Sequence, residues 1–275
     1  MMSQVSPNDA PWGTFAPSGW RAAWIRMLHG LPTSGIWRRL ALWLRKPVKG
    51  SLGEWVDLDV WGLHLRLRGK GNLSEQRLIL MPQFLDSAEL EALSDEVKNG
   101  GTFLDIGANA GVYSLKVASA CGPAARVEAF EPDPDLGAML RWNLSRNRLA
   151  NVTLHPIALG GSEGEVVLSA GDGNKGENKV STSGSGLRVP MTTLPKWMAQ
   201  QQISTIDALK IDVEGHEVAV LEPLFHEMPR SSWPRLVVCE LAHDSDRSLA
   251  DLLTSHGYQL SGRGRLNGIY RLPVS

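Results

Sequence analysis

Cysteine is almost missing from this chain. Two thiols, Cys121 and Cys239, stand among 275 residues, each in or beside an apolar run. They offer no zinc-ligand spacing and no disulfide framework, and read as buried free thiols in a reducing compartment. An excess of either charge is missing too: 28 basic residues against 29 acidic ones leave a formal net charge of −1. No global field therefore draws the chain to nucleic acid, and no nucleic-acid partner is expected. No apolar run approaches the ~18 residues needed to span a bilayer. The opening MMSQVSPNDAPWGTF has no charged region followed by an apolar core, so a cytoplasmic location is expected. Also absent are a Gly-x-x-x-x-Gly-Lys-Ser/Thr phosphate loop and a Gly-x-Ser-x-Gly nucleophile elbow.

What is present is unevenly spread. Seven of the ten tryptophans precede residue 62, and residues 1–50 hold Arg21, Arg26, Arg38, Arg39, Arg45, Lys46 and Lys49 against one acid, Asp9. Residues 1–20, rich in Pro, Ser and Gly, read as a flexible arm. RAAWIRMLHG and SGIWRRLALWLRKPVKG then read as two basic amphipathic helices. Such helices either lie on an anionic membrane surface or pack their apolar side on their own domain. Residues 54–68 alternate in the period-two manner of antiparallel strands. SAELEALSDEV follows as a helix with Ser87 as its cap and Leu90, Leu93 and Val97 on one side. Residues 21–98 form an N-terminal helical and β-hairpin extension on this reading, and residues 99–275 the main domain.

From Thr102 the rhythm is regular. TFLDIGA, RVEAFEP, NVTLHPIAL, ALKIDVEG and RLVVCEL are apolar strands, each but the third followed closely by a helix pattern. The helix after ALKIDVEG aligns Val218, Leu221, Phe225 and Met228, and YQLSGRG with NGIYRLP closes the chain as a hairpin. Such alternation predicts a mostly parallel, doubly wound α/β sheet with an antiparallel strand at or near its edge. One segment breaks the pattern, around GDGNKGENKVSTSGSG. A glycine-rich stretch of that length reads as a mobile flap near the site or as a plain surface loop.

In an open parallel sheet, ligands bind beyond the carboxyl ends of the strands where strand order reverses. The first such turn here is Asp105-Ile-Gly107-Ala108-Asn109-Ala-Gly111. A dinucleotide loop needs a glycine where Asn109 stands, so that pyrophosphate can approach the backbone. Asn109 therefore disfavours an NAD-dependent oxidoreductase, the rival enzyme class. Glu131, followed by Pro132, ends the next strand about twenty residues on, where an acid grips ribose hydroxyls. Asp105 is unhelpful to phosphate and suited to an ammonium group. A ribose, an ammonium and no phosphate describe S-adenosylmethionine. Neither the Pro-Pro-aromatic signature of base amino-group methylation nor a Pro-Cys pair for pyrimidine carbon methylation occurs.

DIGANAGVYSL, AFEPDP with RWNLSRNRLANV downstream, LKIDVEGHE and VVCEL together resemble the FkbM-type methyltransferases, over about residues 54–272. The resemblance implies a seven-stranded Rossmann-like methyltransferase sheet, S-adenosylmethionine as cofactor, and methyl transfer to a hydroxyl of a sugar, glycan or small metabolite. Asp105, Gly107, Ala108, Asn109, Gly111, Glu131, Pro132 and Asp212 are the expected cofactor residues.

Asp212, Glu214, His216 and Glu217 cluster where the fourth strand leaves the sheet. A hydroxyl nucleophile must lose its proton to a histidine or a carboxylate. His216, Glu214 and Asp212 are the catalytic candidates, with His216 chemically the best base. The competing readings are a solvated helix-start histidine for His216, a turn anchor for Glu214, and helix N-terminal charge balance for Glu217. Glu240 and His243 form a second pair over the same mouth. Asp212, Glu214 and Glu240 could alternatively hold Mg²⁺, although no metal is expected. Crossing class, the fold could serve as a non-catalytic cofactor- or partner-binding protein, docking by its basic N-terminus.

Overall fold

Two basic helices and a hairpin lead the chain in the computed structural model, which describes residues 7–169, 179–181, 186–241 and 248–273. Helices α1 (Gly19–His29) and α2 (Gly35–Ser51) precede strands β1 (Trp55–Val60) and β2 (Leu63–Arg68). The hairpin turns on Trp61 and Gly62, both with positive φ (56° and 78°), as a two-residue turn between twisted strands requires. Helices α3 (Leu73–Leu80) and α4 (Ser87–Val97) complete this cover.

The arm is not loose over its described part. Arg66, fully buried, holds Asp57 through Nε (2.7 Å) and Nη2 (2.9 Å). The same guanidinium donates to the carbonyls of Ala10 (2.8 Å) and Pro11 (2.9 Å), while Asp57 accepts from the amides of Gly13 (2.7 Å) and Phe15 (3.1 Å). A buried charge pair with spare donors and acceptors needs such partners, and the arm supplies them. This corrects the flexible-arm expectation for residues 7–17.

The main sheet begins with β3 (Thr102–Ile106), α5 (Val112–Cys121), β4 (Arg126–Phe130), α6 (Pro134–Asn147) and β5 (Val152–His155). A small second sheet follows, made of β6 (Ala158–Leu159), β7 (Gly164–Ser169), β8 (Lys179–Ser181) and β9 (Leu187–Thr192). Then come α7 (Leu194–Gln200), β10 (Ala208–Ile211), α8 (Glu217–Glu227), β11 (Leu236–Glu240), α9 (Ser248–Ser255) and the hairpin β12 (Gln259–Arg263) and β13 (Asn267–Arg271). The seven strands lie in the order β12-β13-β11-β10-β3-β4-β5, with β13 antiparallel to both its neighbours. This is the doubly wound, mostly parallel sheet that the strand pattern predicts. Strand order reverses between β3 and β10, so the carboxyl ends of these two strands form the switch point.

Successive residues of β3 enter opposite cores. Leu104 and Ile106 pack with Val220, Leu221 and Leu224 of α8, whereas Phe103 packs with Leu93 and Val97 of α4 and Val117 of α5. A third core joins Leu65, Leu67 and Leu78 of the cover to Leu115, Leu140 and Leu144 of α5 and α6. Polar groups reinforce that seam. Asn143 accepts from Arg66 N (2.8 Å) and donates to Arg66 O (3.1 Å), and Asn147 does the same for His64 (2.8 and 2.9 Å). The two asparagines, one helical turn apart, stand in for a neighbouring strand along the β2 edge.

Several elements depart from expectation. Helix α3 has too few turns to register by periodicity. NVTLHPIAL splits into β5 and β6 at Pro156, which has no amide to donate. Ser87 opens α4, and the cap position belongs to Asp86 in the left-handed region (φ 41°). The buried stripe of α8 is Val220, Leu221, Leu224 and Phe225, displaced from Val218 and Met228. The glycine-rich stretch read as a flap lies mostly outside the described residues. Among those residues no helix is long and apolar enough to cross a membrane.

Candidate active site

The five amides of the turn after β3, residues 107–111, are all engaged within the protein. Gly107 N and Ala108 N donate to Phe130 O (3.1 and 2.9 Å). Asn109 N donates to Glu131 Oε2 (2.7 Å), Ala110 N to Asn109 Oδ1 (2.7 Å), and Gly111 N to Ala108 O (2.8 Å). Asn109 sits in the left-handed region (φ 52°), which asparagine tolerates better than most side chains. Its Oδ1 also accepts from Asn72 Nδ2 (2.7 Å), tying the turn to the start of α3. The asparagine thus locks the turn's shape, beyond filling the place of a glycine. Gly107 and Gly111 have φ of 74° and 80°, and a Cβ on Gly107 would meet Asp212 O at 1.9 Å.

Glu131 closes the same structure. Its Oε1 accepts from Asp133 N (2.8 Å) while Oε2 takes the Asn109 amide. Burial pushes its carboxyl up to about 7, with those two amides pulling the other way.

Lys210 of β10 stands at the switch point, 7% exposed, and donates to Gly107 O (2.7 Å). Its Nζ lies 3.7 Å from Asp105 Oδ1 and 3.6 Å from Asp212 Oδ2. Burial acts to lower this amine, but the charges of Asp212, Asp105 and Glu131 outweigh it and hold Lys210 above its ordinary range. Asp105 itself is fully buried, its Oδ2 accepting from Ser114 N (3.0 Å) and Ser114 Oγ (2.6 Å). A direct meeting with a ligand's ammonium, expected from sequence, is therefore replaced by support of Lys210 and of the first turn of α5.

Two cavities open on either side of the ridge formed by Gly107 and Asp212–Val213. The first, about 220 Å³, is apolar and lined by Phe130, Pro132, Ile157, Leu159, Met191 and Val213, with Gly107 and His216 at its edge. The second, about 180 Å³, is polar and lined by Asn72, Arg77, Asp86, Asn109, Tyr113, Lys210, Asp212, Glu214, Glu240 and Asn267 among others. Of the eight expected cofactor residues, Gly107 and Pro132 face the apolar cavity, and Asn109 and Asp212 the polar one. Asp105, Ala108, Gly111 and Glu131 line neither and build the wall behind.

The catalytic trio is divided. Asp212 and Glu214 line the polar cavity, whereas His216 is exposed and lines the apolar one. His216 as the base is thereby displaced from the carboxylates it was grouped with. Glu214 is left-handed (φ 53°) in a turn whose Val213 and Gly215 amides both donate to Glu217 Oε1 (3.0 and 3.2 Å). Glu217 therefore shapes the turn. Glu240 lines the polar cavity, and its expected companion His243 lies outside the described residues. Asp212, Glu214 and Glu240 do not form a metal-binding group, nor does any set of three His, Cys, Asp or Glu among the described residues.

Lys210, Asn72, Arg77, Asp86 and Tyr113 escaped the sequence reading. Tyr113 Oη donates to Asp86 Oδ2 (3.0 Å) and accepts from Asn267 Nδ2 (3.2 Å). The cover's contribution had one usable signal: Asn72-Leu-Ser-Glu75 is an N-cap pattern, and Asn72 Oδ1 does accept from Glu75 N (3.1 Å). A charged residue in the middle of an otherwise apolar buried strand was the signal for Lys210.

Comparison with known proteins adds a family. The model described as the methyltransferase FkbM domain matches residues 105–260, more than half of the chain. The chain is 29% identical over 223 residues to the 31-O-demethyl-FK506 methyltransferase FkbM of Streptomyces tacrolimicus, covering 68% of this chain and 83% of that protein. It is 30% identical over 136 residues to the hexuronic acid methyltransferase AglP of Haloferax volcanii, covering 48% of this chain and 54% of that protein. Among solved structures, the methyltransferase FkbM of Methylobacillus flagellatus KT aligns with a TM-score of 0.44 at 16% identity, covering 72% of this chain and 54% of that one.

Proposed function

The chain belongs to the FkbM methyltransferase family, and from that premise we propose that its methyl donor is S-adenosylmethionine and its acceptor a hydroxyl of a sugar, glycan or small metabolite. One observation carries the reading: an apolar cavity and a cavity of both charges meet at a glycine turn whose amides are all spent. The residues fit the donor. Phe130, Ile157, Leu159 and Val213 offer a slot for a flat heterocycle, with Glu131 behind the turn on the ribose side. Across the ridge, Lys210 and Arg77 face a carboxylate and Asp212 an ammonium. A pyrophosphate would need turn amides that Phe130, Glu131, Asn109 and Ala108 already hold, which argues against NAD.

When bound, S-adenosylmethionine supplies an electrophilic methyl group on a sulfonium for in-line displacement. The chain's own part is alignment and proton handling. Alignment alone is worth several kcal/mol, and the rigid turns after β3 and β10 supply it. Asp212, held by Lys210 at 3.6 Å, positions groups at the mouth. We assign to Glu214, which lines the same cavity, the removal of the acceptor's proton. A carboxylate held tightly against the sulfonium would favour the reactant over the transition state, so neither is assigned to grip it.

The test is transfer of a labelled methyl group from S-adenosylmethionine to a panel of sugars and hexuronic acids, followed by mild alkali. Label that survives alkali is the expected ether product. Label lost to alkali would place the methyl on a carboxylate. Cofactor binding with no transfer to any acceptor would favour the non-catalytic reading.

A further inference from the structure

A third depression, a groove of about 610 Å³, lies between α2, α3, the start of α4 and the β12–β13 turn. Five cations line it: Arg38, Arg45 and Lys49 from α2, Arg77 from α3 and Arg265 from the β12–β13 turn. The α2 residues recur at spacings of seven and four, so they share one face of that helix. None of the five forms an ion pair among the described residues. Two acids line the groove, Asp86 and Glu89. Asp86 is engaged by Tyr113 Oη, and burial pushes the Glu89 carboxyl up. Burial, and then the charges of Arg77, Arg265 and Arg38, lower the proton affinity of Arg45. Like charges drawn this close repel one another, and a protein that keeps them without partners holds an unmet electrostatic demand.

The groove is continuous with the polar cavity. Leu73, Arg77, Asp86 and Leu266 line both, and Arg77 stands at the join. We propose that this groove binds a phosphate or pyrophosphate group carried by the methyl acceptor, and so orients the acceptor's hydroxyl toward Asp212 and Glu214. Five cations in an open groove match a multiply charged oxyanion better than a single carboxylate, and guanidinium forks suit phosphate oxygens. The role as an acceptor subsite rests on the methyltransferase reading, but the capacity to bind phosphate does not.

The phosphate could belong to a soluble metabolite or to a lipid. The question is a real one, because the outer side of α2 exposes Ile36 (74%), Trp37 (38%), Leu40 (40%) and Trp43 (65%). That apolar side suits a membrane surface.

The experiment is calorimetric titration of the full chain with inorganic pyrophosphate, in wild type and in Arg45→Gln, Arg265→Gln and the double variant. Each protein is also titrated with S-adenosylmethionine. Pyrophosphate is expected to bind the wild type, more weakly as salt is added. Affinity should fall about tenfold or more in the double variant, with S-adenosylmethionine affinity unchanged. Absence of pyrophosphate binding in the wild type, or equal affinity in the double variant, overturns the proposal. Should the double variant fail to fold, Lys49→Gln and the single variants carry the same comparison. Pyrophosphate binding without S-adenosylmethionine binding would leave the groove standing and sink the cofactor reading.

Sedimentation with vesicles of phosphatidic acid in phosphatidylcholine, against phosphatidylcholine alone, separates the two sources. Retention that pyrophosphate abolishes assigns a lipid phosphate to the groove. Pyrophosphate binding without retention assigns a soluble one. Retention that pyrophosphate leaves intact, in a protein that does not bind pyrophosphate, places the contact on the apolar side of α2 and contradicts the groove.

Discussion

The two cavities beside Gly107 and Asp212 are built in different ways. The apolar one is made wholly from the main domain: the ends of β3 and β4, strands β6, β7 and β9 of the small sheet, and the turn after β10 with the start of α8. The polar one draws five of its sixteen lining residues from the cover, among them Asn72, Ser74, Arg77 and Asp86. The first therefore depends on packing within the main domain, and the second also on how residues 7–97 dock against α5 and α6. On the proposed reading the donor spans the ridge, its heterocycle in the apolar cavity and its charged end in the polar one. Grip on the heterocycle and selection of the acceptor should accordingly respond to different substitutions.

The largest effect is expected at the ridge common to both. Gly107→Ala would force a Cβ to 1.9 Å from Asp212 O at a φ of 74°, costing on the order of 5 kcal/mol. Denaturant unfolding measures it, and a loss under about 1 kcal/mol would mean that the ridge yields easily. Next is the cover alone. Arg66→Met leaves Asp57 buried without its partner, at a cost of about 3–5 kcal/mol, and limited proteolysis should then cut within residues 7–17 first. A variant protected there would show the arm held by something other than Arg66.

A pH profile separates the same two regions. Glu131 in the main domain and Glu75 in the cover both have carboxyls raised by burial from 4.5 to about 7. Between those values the folded protein holds more protons than the unfolded chain, so stability falls as pH rises across that window. Each group contributes on the order of 3 kcal/mol of the fall. Glu75→Gln keeps the acceptor for Arg68 N (2.8 Å) and should remove the cover's share, flattening the profile of melting temperature against pH. A profile unchanged by that substitution removes Glu75 from the account.

Smaller effects fall on binding. Lys210→Met strips the counter-charge from Asp105 and Asp212, and S-adenosylmethionine affinity should fall about tenfold to a hundredfold. His216→Ala, at the exposed edge of the apolar cavity, should weaken it by less than about 1 kcal/mol. If His216 proved to matter more than Lys210, the division between the cavities would be drawn in the wrong place.

This division also explains what the sequence made legible. Strands of four or five apolar residues alternating with helices announce a parallel sheet, because both faces are covered. The turn glycines and Asn109 stand together in the chain, and so does the Asp212–Glu217 turn. The polar cavity is written across Asn72, Arg77, Asp86, Tyr113 and Asn267, far apart in sequence, and only packing unites them. Helix α3 offered a cap but no long period. Residues 7–17 look loose by composition, and only the buried Arg66–Asp57 pair shows why they are held. His216 and Glu214 are two residues apart, yet the left-handed backbone at Glu214 and Gly215 sends them toward different cavities.

The most direct test of the central claim is calorimetric titration of the purified chain with S-adenosylmethionine, its demethylated product and NAD. The account predicts that the first two bind and NAD does not, since no amide of the 107–111 turn remains for a pyrophosphate. Binding of NAD in their place would contradict it.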